Sequence, residues 1–326
     1  MLLAPQQSRF DPAPSSAPRI AVLVPCYNEE VAIGSVVTDF RAALPQARIY
    51  VYDNNSADRT VEVARAAGAV VRTEPLQGKG NVIRRMFADI EADVYVLVDG
   101  DATYHAASAP EMVRMLLDDR LDMVNGCRVS QIQAAYRPGH RFGNLLLTGI
   151  VRKIFGSRIT DMLSGYRVFS RRFVKSFPAL SSGFETETEF TVHALELSMP
   201  IGELETPYRE RPEGSTSKLN TFRDGFRILG TIIRLIKEER PLQFFSAAGI
   251  ALLLLAFLLA IPVITEFMRT GLVPRLPTAI LSTGLVGLAS LSFTCGLVLD
   301  SVSRGRTELK RLGYLAIPAF ASADDR

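Results

Sequence analysis

The sequence predicts an α/β protein, in which a mostly parallel sheet covered by helices is followed by a membrane-bound C-terminal region. Over the first 220 residues, short apolar runs rich in β-branched residues alternate with segments of helical periodicity. That alternation is typical of parallel strands joined by covering helices. After residue 240, two long stretches are almost free of charge. Each exceeds the ~20 residues that a helix needs to cross a bilayer core.

Five apolar runs are interpreted as strands, and helical segments follow most of them. The strands are predicted at Ile20–Val24, Arg48–Tyr52, Val70–Val71, Val94–Val98 and Met123–Asn125. The helices are predicted at Glu29–Phe40, Thr60–Ala67, Gly80–Ile90 and from Pro110 onward, after a possible Ser108 cap. Ligands of such sheets collect beyond the carboxyl ends of the strands, so functional residues are expected in the loops there.

The chain divides into six predicted parts. Its beginning is rich in Pro, Ser, Ala and Gln and lacks the apolar run of a signal peptide, which predicts a disordered tail. Before the first apolar stretch, apolar side chains recur at three- and four-residue steps with Arg and Lys between them. This pattern predicts an amphipathic helix in the membrane interface, and a core helix is the alternative. The parts are the tail (1–18), sheet domain (19–220), amphipathic helix (221–240), two spans (242–268 and 276–300) and cytoplasmic C-terminal tail (301–326).

Cations flank the two predicted spans unequally. Three precede the first span and four follow the second, whereas the connecting loop holds Arg269 and Arg275. The flanking cations are Arg234, Lys237, Arg240, Arg304, Arg306, Lys310 and Arg311. The positive-inside bias therefore predicts a protein of the inner (plasma) membrane, with the sheet domain and both termini in the cytoplasm. A pair of buried core helices is the alternative, but such helices are usually shorter.

Composition excludes several classes of partner and site. The formal net charge of +3 is too small to indicate a nucleic-acid partner. The three cysteines have neither zinc spacing nor the density of a disulfide framework, which favours a reducing compartment. The three histidines are equally scattered, so a histidine metal centre is not expected.

Four polar clusters lie next to predicted strands, at the edge where a ligand would bind. They are Pro25–Glu30, Asp53–Thr60, Gln77–Asn81 and Asp99–Asp101. Any one of them could be an ordinary turn, because Asn, Asp, Gly and Ser favour turns for local reasons. Four clusters at one edge favour a binding site instead.

Asp99 and Asp101 follow the clearest strand, and Gly100 between them permits a tight bend. Two carboxylates in this arrangement suit Mg²⁺ or Mn²⁺, which prefers oxygen ligands and retains positions for phosphate. Such a cation stabilises the charge that develops on a leaving nucleoside diphosphate. Lys79 lies in a Gly-Lys-Gly sequence at a predicted helix start, where its amine and the backbone amides are predicted to contact phosphate. The Gly-Lys-Gly sequence lacks Walker spacing and is therefore a weak match to a phosphate loop. The dinucleotide fingerprint is missing after the first strand, which argues against a dehydrogenase.

These motifs resemble those of family-two glycosyltransferases with the GT-A fold, and in particular polyprenyl- or dolichyl-phosphate hexose synthases with two membrane spans. The resemblance covers residues 18–240 and includes Pro25–Glu29, the Asp-X-Asp of Asp99 and Asp101, and Asp161–Arg167. It implies donor contacts from Pro25, Tyr27, Glu29, Asp53, Asn55, Lys79, Asp99, Gly100 and Asp101. It implies acceptor-phosphate contacts from Arg128, Arg141, Asn144, Ser164, Arg211 and Lys218. Catalysis is assigned to Asp99, Asp101, Arg128 and Arg211; solvated surface charge is the alternative for the arginines.

Two segments depart from the family's pattern. Arg211–Lys218 carries one additional residue, so the roles of its serines are not assigned. Ala102–His105 replaces the usual Leu-Gln-Asp-Pro, so a glutamine that often supports the metal is missing. Donor details are therefore not carried over from the family.

The resemblance implies an inverting transfer of a hexose from GDP-mannose, UDP-glucose or UDP-N-acetylglucosamine to a polyprenyl phosphate, with Mg²⁺ or Mn²⁺. Its partners are the donor, the lipid acceptor and the bilayer, and a homo-oligomer is left open. A processive polysaccharide synthase is one alternative, although its usual Gln-X-X-Arg-Trp motif cannot occur in a chain without tryptophan. A non-catalytic membrane protein that escorts lipid-linked sugars is the other.

Overall fold

The computed structural model describes residues 17–129, 149, 159–180, 183, 185–212, 230, 233–234, 236–238 and 240–320. Its seven strands form one sheet in the order β3-β2-β1-β4-β6-β5-β7. The strands are β1 (Ile20–Cys26), β2 (Arg48–Asp53), β3 (Val70–Thr73), β4 (Val94–Leu97), β5 (Met123–Val129), β6 (Arg167–Ser170) and β7 (Ile201–Pro207). β6 pairs antiparallel with β4 and β5, and the other neighbours are parallel. The predicted mostly parallel sheet is confirmed.

Eight α-helices connect or follow these strands within the described residues. They are α1 (Ile33–Ala43), α2 (Thr60–Ala66), α3 (Lys79–Asp89), α4 (Ala109–Asp118), α5 (Arg171–Ser176), α6 (Thr186–Glu196), α7 (Pro241–Thr270) and α8 (Leu276–Leu315). The first predicted helix begins four residues later than expected, since the chain from Glu29 to Ala32 forms a turn. β6 and β7 are not among the strands that the sequence predicts.

Strand register brings the predicted clusters to one edge of the sheet. Cys26 at the end of β1 lies opposite Asp53, which ends β2. Asp53 in turn lies opposite Thr73, which ends β3. Leu97 pairs with Leu23, so the chain leaves β4 toward the same edge. β1 and β4 are also adjacent in the sheet, and the order of the strands runs in opposite directions from this pair. Such a point of reversal is where α/β sheets bind ligands.

The two faces of the sheet have separate hydrophobic cores. On one face, side chains of α1 and α4 such as Val36, Phe40 and Met112 pack against β1, β4 and Tyr166. On the other, aromatic rings of α3, α5 and α6 pack against rings of β4, β6 and the residue after α5. The rings, with centroids 4.5–6.3 Å apart, are Phe87, Tyr95, Phe169, Phe173, Phe177 and Phe190. Each buried Phe contributes about 1.5–3 kcal/mol, so this second core anchors α6 firmly.

Helices α7 and α8 form an antiparallel hairpin with small side chains at their contact. Ala256 and Ala289 are buried there, and Ser282 Oγ donates to Ala256 O (2.9 Å). Both helices are long and apolar enough to cross a membrane, yet only 11% of each apolar window is buried. A core helix of a soluble protein would be mostly buried. The two predicted spans are therefore present as candidate transmembrane helices, and α7 matches its predicted limits within two residues.

Helix α8 extends beyond the predicted span into the segment predicted as the cytoplasmic C-terminal tail (301–326). The helix continues to Leu315 because its final turns have partners on the sheet domain. Lys310 Nζ bonds Glu196 Oε2 (2.7 Å), and Tyr314 Oη donates to Asp122 Oδ2 (2.7 Å). These contacts attach the sheet domain directly to the apolar hairpin. The predicted amphipathic helix at 221–240 lies mostly outside the described residues.

Candidate active site

The loops after β1 and β2 are joined by hydrogen bonds that fix their shape. The backbone N–H of Asn28 donates to Ser56 Oγ (2.8 Å), and that of Glu29 donates to Thr60 Oγ1 (2.8 Å). In return, the N–H of Ala57 donates to Asn28 Oδ1 (2.8 Å). Both loops contain residues that are predicted to bind the nucleotide sugar. These hydrogen bonds therefore hold that part of the site together as one unit.

The residues at this rim that are predicted to bind the nucleotide sugar differ in how exposed they are. Pro25 lies within β1, opposite Tyr52. Asp53 is buried, and its carboxylate accepts the Ser56 N–H (3.2 Å). The Tyr27 ring is 39% exposed. Tyr27 therefore presents an aromatic surface at the rim, whereas Asp53 is held inside it.

The amide of Asn55 is bonded to the loop that precedes α3. Its Nδ2 donates to Pro75 O (2.9 Å) and Gln77 Oε1 (3.2 Å), and its φ of 66° places it in the left-handed region. The preceding residue, Asn54, was not predicted to be functional. It donates to Glu74 O (2.8 Å) and accepts the Gly78 N–H (2.7 Å), so it positions the start of α3. The two asparagines together shape the adjoining loop, and the donor contact of Asn55 stays a prediction.

Asp101 is buried and bonded on both carboxylate oxygens. Oδ1 accepts from Thr103 N (3.1 Å) and Oγ1 (2.6 Å), and Oδ2 lies 2.6 Å from Arg211 Nη2. Burial and neighbouring Asp99 raise the pKa of Asp101, while Arg211 and Thr103 oppose that rise. Arg211 Nη1 also lies 3.6 Å from Glu29 Oε1. The predicted catalytic arginine therefore sits against the carboxylates of the predicted donor site.

Asp99 forms an ion pair with Lys79, a residue that the sequence predicts to contact phosphate. Lys79 Nζ, predicted to contact phosphate, lies 2.5 Å from Asp99 Oδ1 and 2.5 Å from Glu187 Oε1. Burial disfavours the ammonium form, but the two carboxylates raise the pKa of Lys79 above its ordinary value. Lys79 is therefore a buried cation between two acidic groups. On the other side of Asp99, a methyl group on Gly165 would overlap the Asp99 carboxylate.

Arg128 forms a two-point ion pair at the end of β5. Its Nε and Nη2 donate to Asp161 Oδ2 (2.7 Å) and Oδ1 (2.8 Å). The guanidinium also lies over the Tyr208 ring, 5.6 Å from its centroid. Such a parallel pair fixes the plane of the guanidinium. Asp161, which belongs to the Asp161–Arg167 motif and was not predicted as a site residue, thus orients the predicted catalytic arginine.

Ser164 is corrected from a phosphate contact to a buried structural residue. It is 0% exposed, its hydroxyl donates to Gly126 O (2.6 Å), and it accepts the Tyr166 N–H (3.2 Å). Arg167 is likewise fully buried and donates to the carbonyls of Met162 and Ser164. Both residues hold the loop from Asp161 in shape. Arg141, Asn144 and Lys218 lie outside the described residues.

The two aspartates fit a cation that is held jointly with substrate phosphate. Within the part of the chain that the structure describes, no group of three His, Cys, Asp or Glu side chains could hold a metal alone. Mg²⁺ is commonly bound by one or two carboxylates, with substrate phosphates and water completing the octahedron. Asp99 and Asp101 provide that minimal set, and Lys79 and Arg211 are their present cationic partners.

Comparison with known proteins places this site in a family. The model of glycosyl transferase family 2 matches residues 21–177, which include β1 to β6 and the Asp99–Asp101 turn. Glycosyltransferase AglJ of Haloferax volcanii is 32% identical over 304 residues, covering 91% of this chain and 98% of that protein. The chain belongs to glycosyltransferase family 2. The predicted family and enzyme class are confirmed.

Other relatives of this glycosyltransferase differ in how much of the chain they match. An uncharacterised protein of Shigella flexneri is 56% identical over 155 residues, which cover 48% of this chain and 95% of that protein. A dolichyl-phosphate hexose transferase of H. volcanii is 29% identical over 221 residues, covering 68% and 95%. Glucosyl-3-phosphoglycerate synthase of Mycobacterium tuberculosis, solved with Mn²⁺, UDP and its product, has a TM-score of 0.56 at 23% identity, covering 70% and 86%. That structural likeness confirms the fold.

Gly100 is expected to be essential to this glycosyltransferase because of a close contact. A methyl group at Gly100 would overlap Cys26 Sγ beneath the turn. Overpacking of this kind costs about 1–3 kcal/mol and shifts backbone. We expect Gly100→Ala to reduce transfer by at least about tenfold, because displaced catalytic groups lose alignment. Sugar transfer by purified protein measures the effect.

The same contact supplies a matched rescue. Cys26→Ala removes the overlapping sulfur, so the Cys26→Ala/Gly100→Ala double variant is expected to recover most of the lost transfer. Cys26→Ala alone is the control for the cavity that it leaves. A double variant as impaired as Gly100→Ala would contradict the packing explanation.

Proposed function

We propose that this enzyme transfers a hexose from a nucleotide sugar to a polyprenyl phosphate at the cytoplasmic face of the membrane, with inversion at the anomeric carbon. The observation that carries the proposal is the attachment of the catalytic domain to the apolar hairpin through Glu196, Asp122 and the end of α8. This attachment keeps the domain beside the bilayer in which a lipid acceptor resides, and anchoring raises the effective concentration of that acceptor. The dolichyl-phosphate hexose transferase among its relatives supports a lipid acceptor.

On the donor side, Asp99 and Asp101 would hold Mg²⁺ or Mn²⁺ together with the diphosphate of the nucleotide sugar. The cation would stabilise charge on the departing nucleoside diphosphate. Tyr27, Glu29 and Asp53 belong to the loops that the structure joins at this rim. Their proposed role is to bind the nucleoside. Donors with GDP or UDP both satisfy this chemistry.

On the acceptor side, phosphate is already anionic at neutral pH, so attack on the sugar requires no strong general base. The protein's task is to hold two anionic substrates in line and to offset their repulsion. Arg128 and Arg211 are the described cations assigned to this task, and Arg141 and Lys218 are the proposed additional ones. Asp161 would keep the Arg128 guanidinium in a single plane while it does so.

A donor and acceptor panel tests the proposal. Purified full-length protein in detergent is given radiolabelled GDP-mannose, UDP-glucose or UDP-N-acetylglucosamine, with Mg²⁺, Mn²⁺ or EDTA. Polyprenyl phosphate is the acceptor, and the matching polyprenol without phosphate is its control. We expect one donor to label the lipid phosphate alone, and only with a divalent cation.

Other results would overturn parts of the proposal separately. Label in a growing polymer would indicate a processive synthase, the alternative that the sequence left open. Transfer to polyprenol at the same rate would contradict the role of the acceptor phosphate. Full activity in EDTA would contradict the metal.

A further inference from the structure

Three charged side chains form a buried row that ends in the active site. Glu187 Oε1 lies 2.5 Å from Lys79 Nζ, which lies 2.5 Å from Asp99 Oδ1. The exposed fraction of these side chains rises along the row, from 6% for Glu187 through 10% for Lys79 to 28% for Asp99. The row therefore runs from the interior toward the solvent side of the site, with Asp99 as its outer member.

The row ties together three separate parts of the fold. Glu187 lies in the first turn of α6, Lys79 is the first residue of α3, and Asp99 follows β4. An acidic group in the first turn of a helix is also favoured by the helix dipole. Because α6 is anchored by the aromatic core, Glu187 provides a fixed point against which the lysine is held. The position of Asp99 is thereby set by distant structure as well as by its own turn.

Charge balance gives the row a second consequence. A lysine paired with Asp99 alone would neutralise the carboxylate on which a cation depends. With Glu187 present, the three groups sum to one negative charge, so Asp99 retains attraction for a divalent ion. Glu187 Oε2 is buried and has no hydrogen-bond partner among the described residues. Lys79 is therefore the described group that stabilises the charge of the Glu187 carboxylate.

We infer that Glu187 is a positioning residue, which acts through Lys79 to orient Asp99 and to preserve its charge for the donor-bound cation. This inference rests on the proposed metal-dependent function. It also assigns Lys79 a role different from the phosphate contact that its Gly-Lys-Gly context predicts. Glu187 itself touches neither substrate nor cation in this role.

Manganese binding, measured by electron paramagnetic resonance, tests the inference without turnover. Full-length protein in detergent is titrated with Mn²⁺ in the presence of UDP and, separately, GDP. We expect Glu187→Gln to weaken Mn²⁺ binding at least about tenfold, because the amide keeps the shape but loses the charge that offsets Lys79. Glu187→Asp retains the charge and is expected to bind Mn²⁺ more tightly than Glu187→Gln. If the glutamine variant does not fold, Glu187→Asp is compared with the unsubstituted protein, and we expect the shortened side chain to weaken Mn²⁺ binding.

Glu196→Gln is the matched control. Glu196 is a buried glutamate paired with a lysine at the other end of α6, roughly 13 Å from Glu187 along the helix. Its substitution reports the general effect of losing a buried ion pair on this helix. We expect Mn²⁺ binding within twofold of the unsubstituted protein.

The possible outcomes separate this inference from the proposed function. Mn²⁺ binding by Glu187→Gln within twofold of the unsubstituted protein overturns the inference and leaves the function standing. No Mn²⁺ binding by the unsubstituted protein with either nucleotide overturns the metal assignment and the inference together. Nucleotide binding in EDTA is a further measurement, in which Lys79→Met is expected to change affinity less than threefold. A much larger loss would restore Lys79 as a phosphate contact and overturn its positioning role.

Discussion

Sugar transfer is expected to fall by at least about a hundredfold when Asp101 is replaced by alanine, because one of two cation-binding carboxylates is lost. The side chain is buried and bonded to Thr103 and Arg211, so its removal also takes one carboxylate partner from Arg211. We expect both donor turnover and Mn²⁺ binding to decline. Radiolabelled transfer to polyprenyl phosphate measures the first, and paramagnetic resonance measures the second.

Membrane insertion should be unaffected by this substitution, because Asp101 lies in the sheet domain, far along the chain from α7 and α8. Resistance to extraction at alkaline pH measures insertion. The control is Asp118→Ala, which removes an exposed carboxylate at the end of α4. Transfer by the Asp101→Ala protein above about a tenth of the unsubstituted rate would contradict the metal assignment.

Arg167→Met is expected to produce the largest loss of stability. The guanidinium is fully buried and donates to Met162 O (2.6 Å), Ser164 O (3.1 Å) and Thr191 Oγ1 (3.1 Å). Burial lowers the pKa of Arg167 to about 10, so the group remains charged at neutral pH. Methionine preserves most of the volume but leaves these acceptors without their donor. Each buried acceptor left unsatisfied costs about 1–3 kcal/mol, so we expect a total loss of about 3–5 kcal/mol.

For a domain of this size, that loss corresponds to a decrease of about 6–20 °C in the midpoint of thermal unfolding. Differential scanning calorimetry of the full-length protein in detergent measures this decrease. The matched control is Arg171→Met, four residues later, whose side chain is 36% exposed and pairs with Glu91. A decrease no larger than that of the control would contradict the assigned structural role.

The strands most clearly predicted from the sequence are those that the fold buries on both faces. β1 and β4 are buried on both faces, and such strands appear as continuous apolar runs. β6 has only four residues and begins with the buried charge of Arg167, so no hydrophobic pattern marks it. Its partners, β4 and β5, precede it by tens of residues along the chain. Local periodicity cannot identify a strand whose existence depends on distant pairing.

The end of α8 and the site show the same limit. After Asp300 the chain is rich in charge, which favours a tail when its partners are unknown. Glu196 and Asp122 supply those partners from the sheet domain. Ser164 suggested a ligand contact because a hydroxyl suits phosphate. In the folded chain Ser164 is buried and its hydroxyl donates to Gly126 O, so its role is structural.

The mostly parallel sheet, the two apolar helices and the pair of aspartates after β4 could all be predicted from the amino-acid sequence. Each depends on residue type and short spacing, since apolar runs and an Asp-Gly-Asp turn are local features. The groups that contact those aspartates become visible only in the folded chain. Lys79 and Glu187 are separated by 108 residues yet meet beside Asp99. Packing of α6 against the sheet creates that contact, and long-range packing leaves no signature in the spacing of either residue.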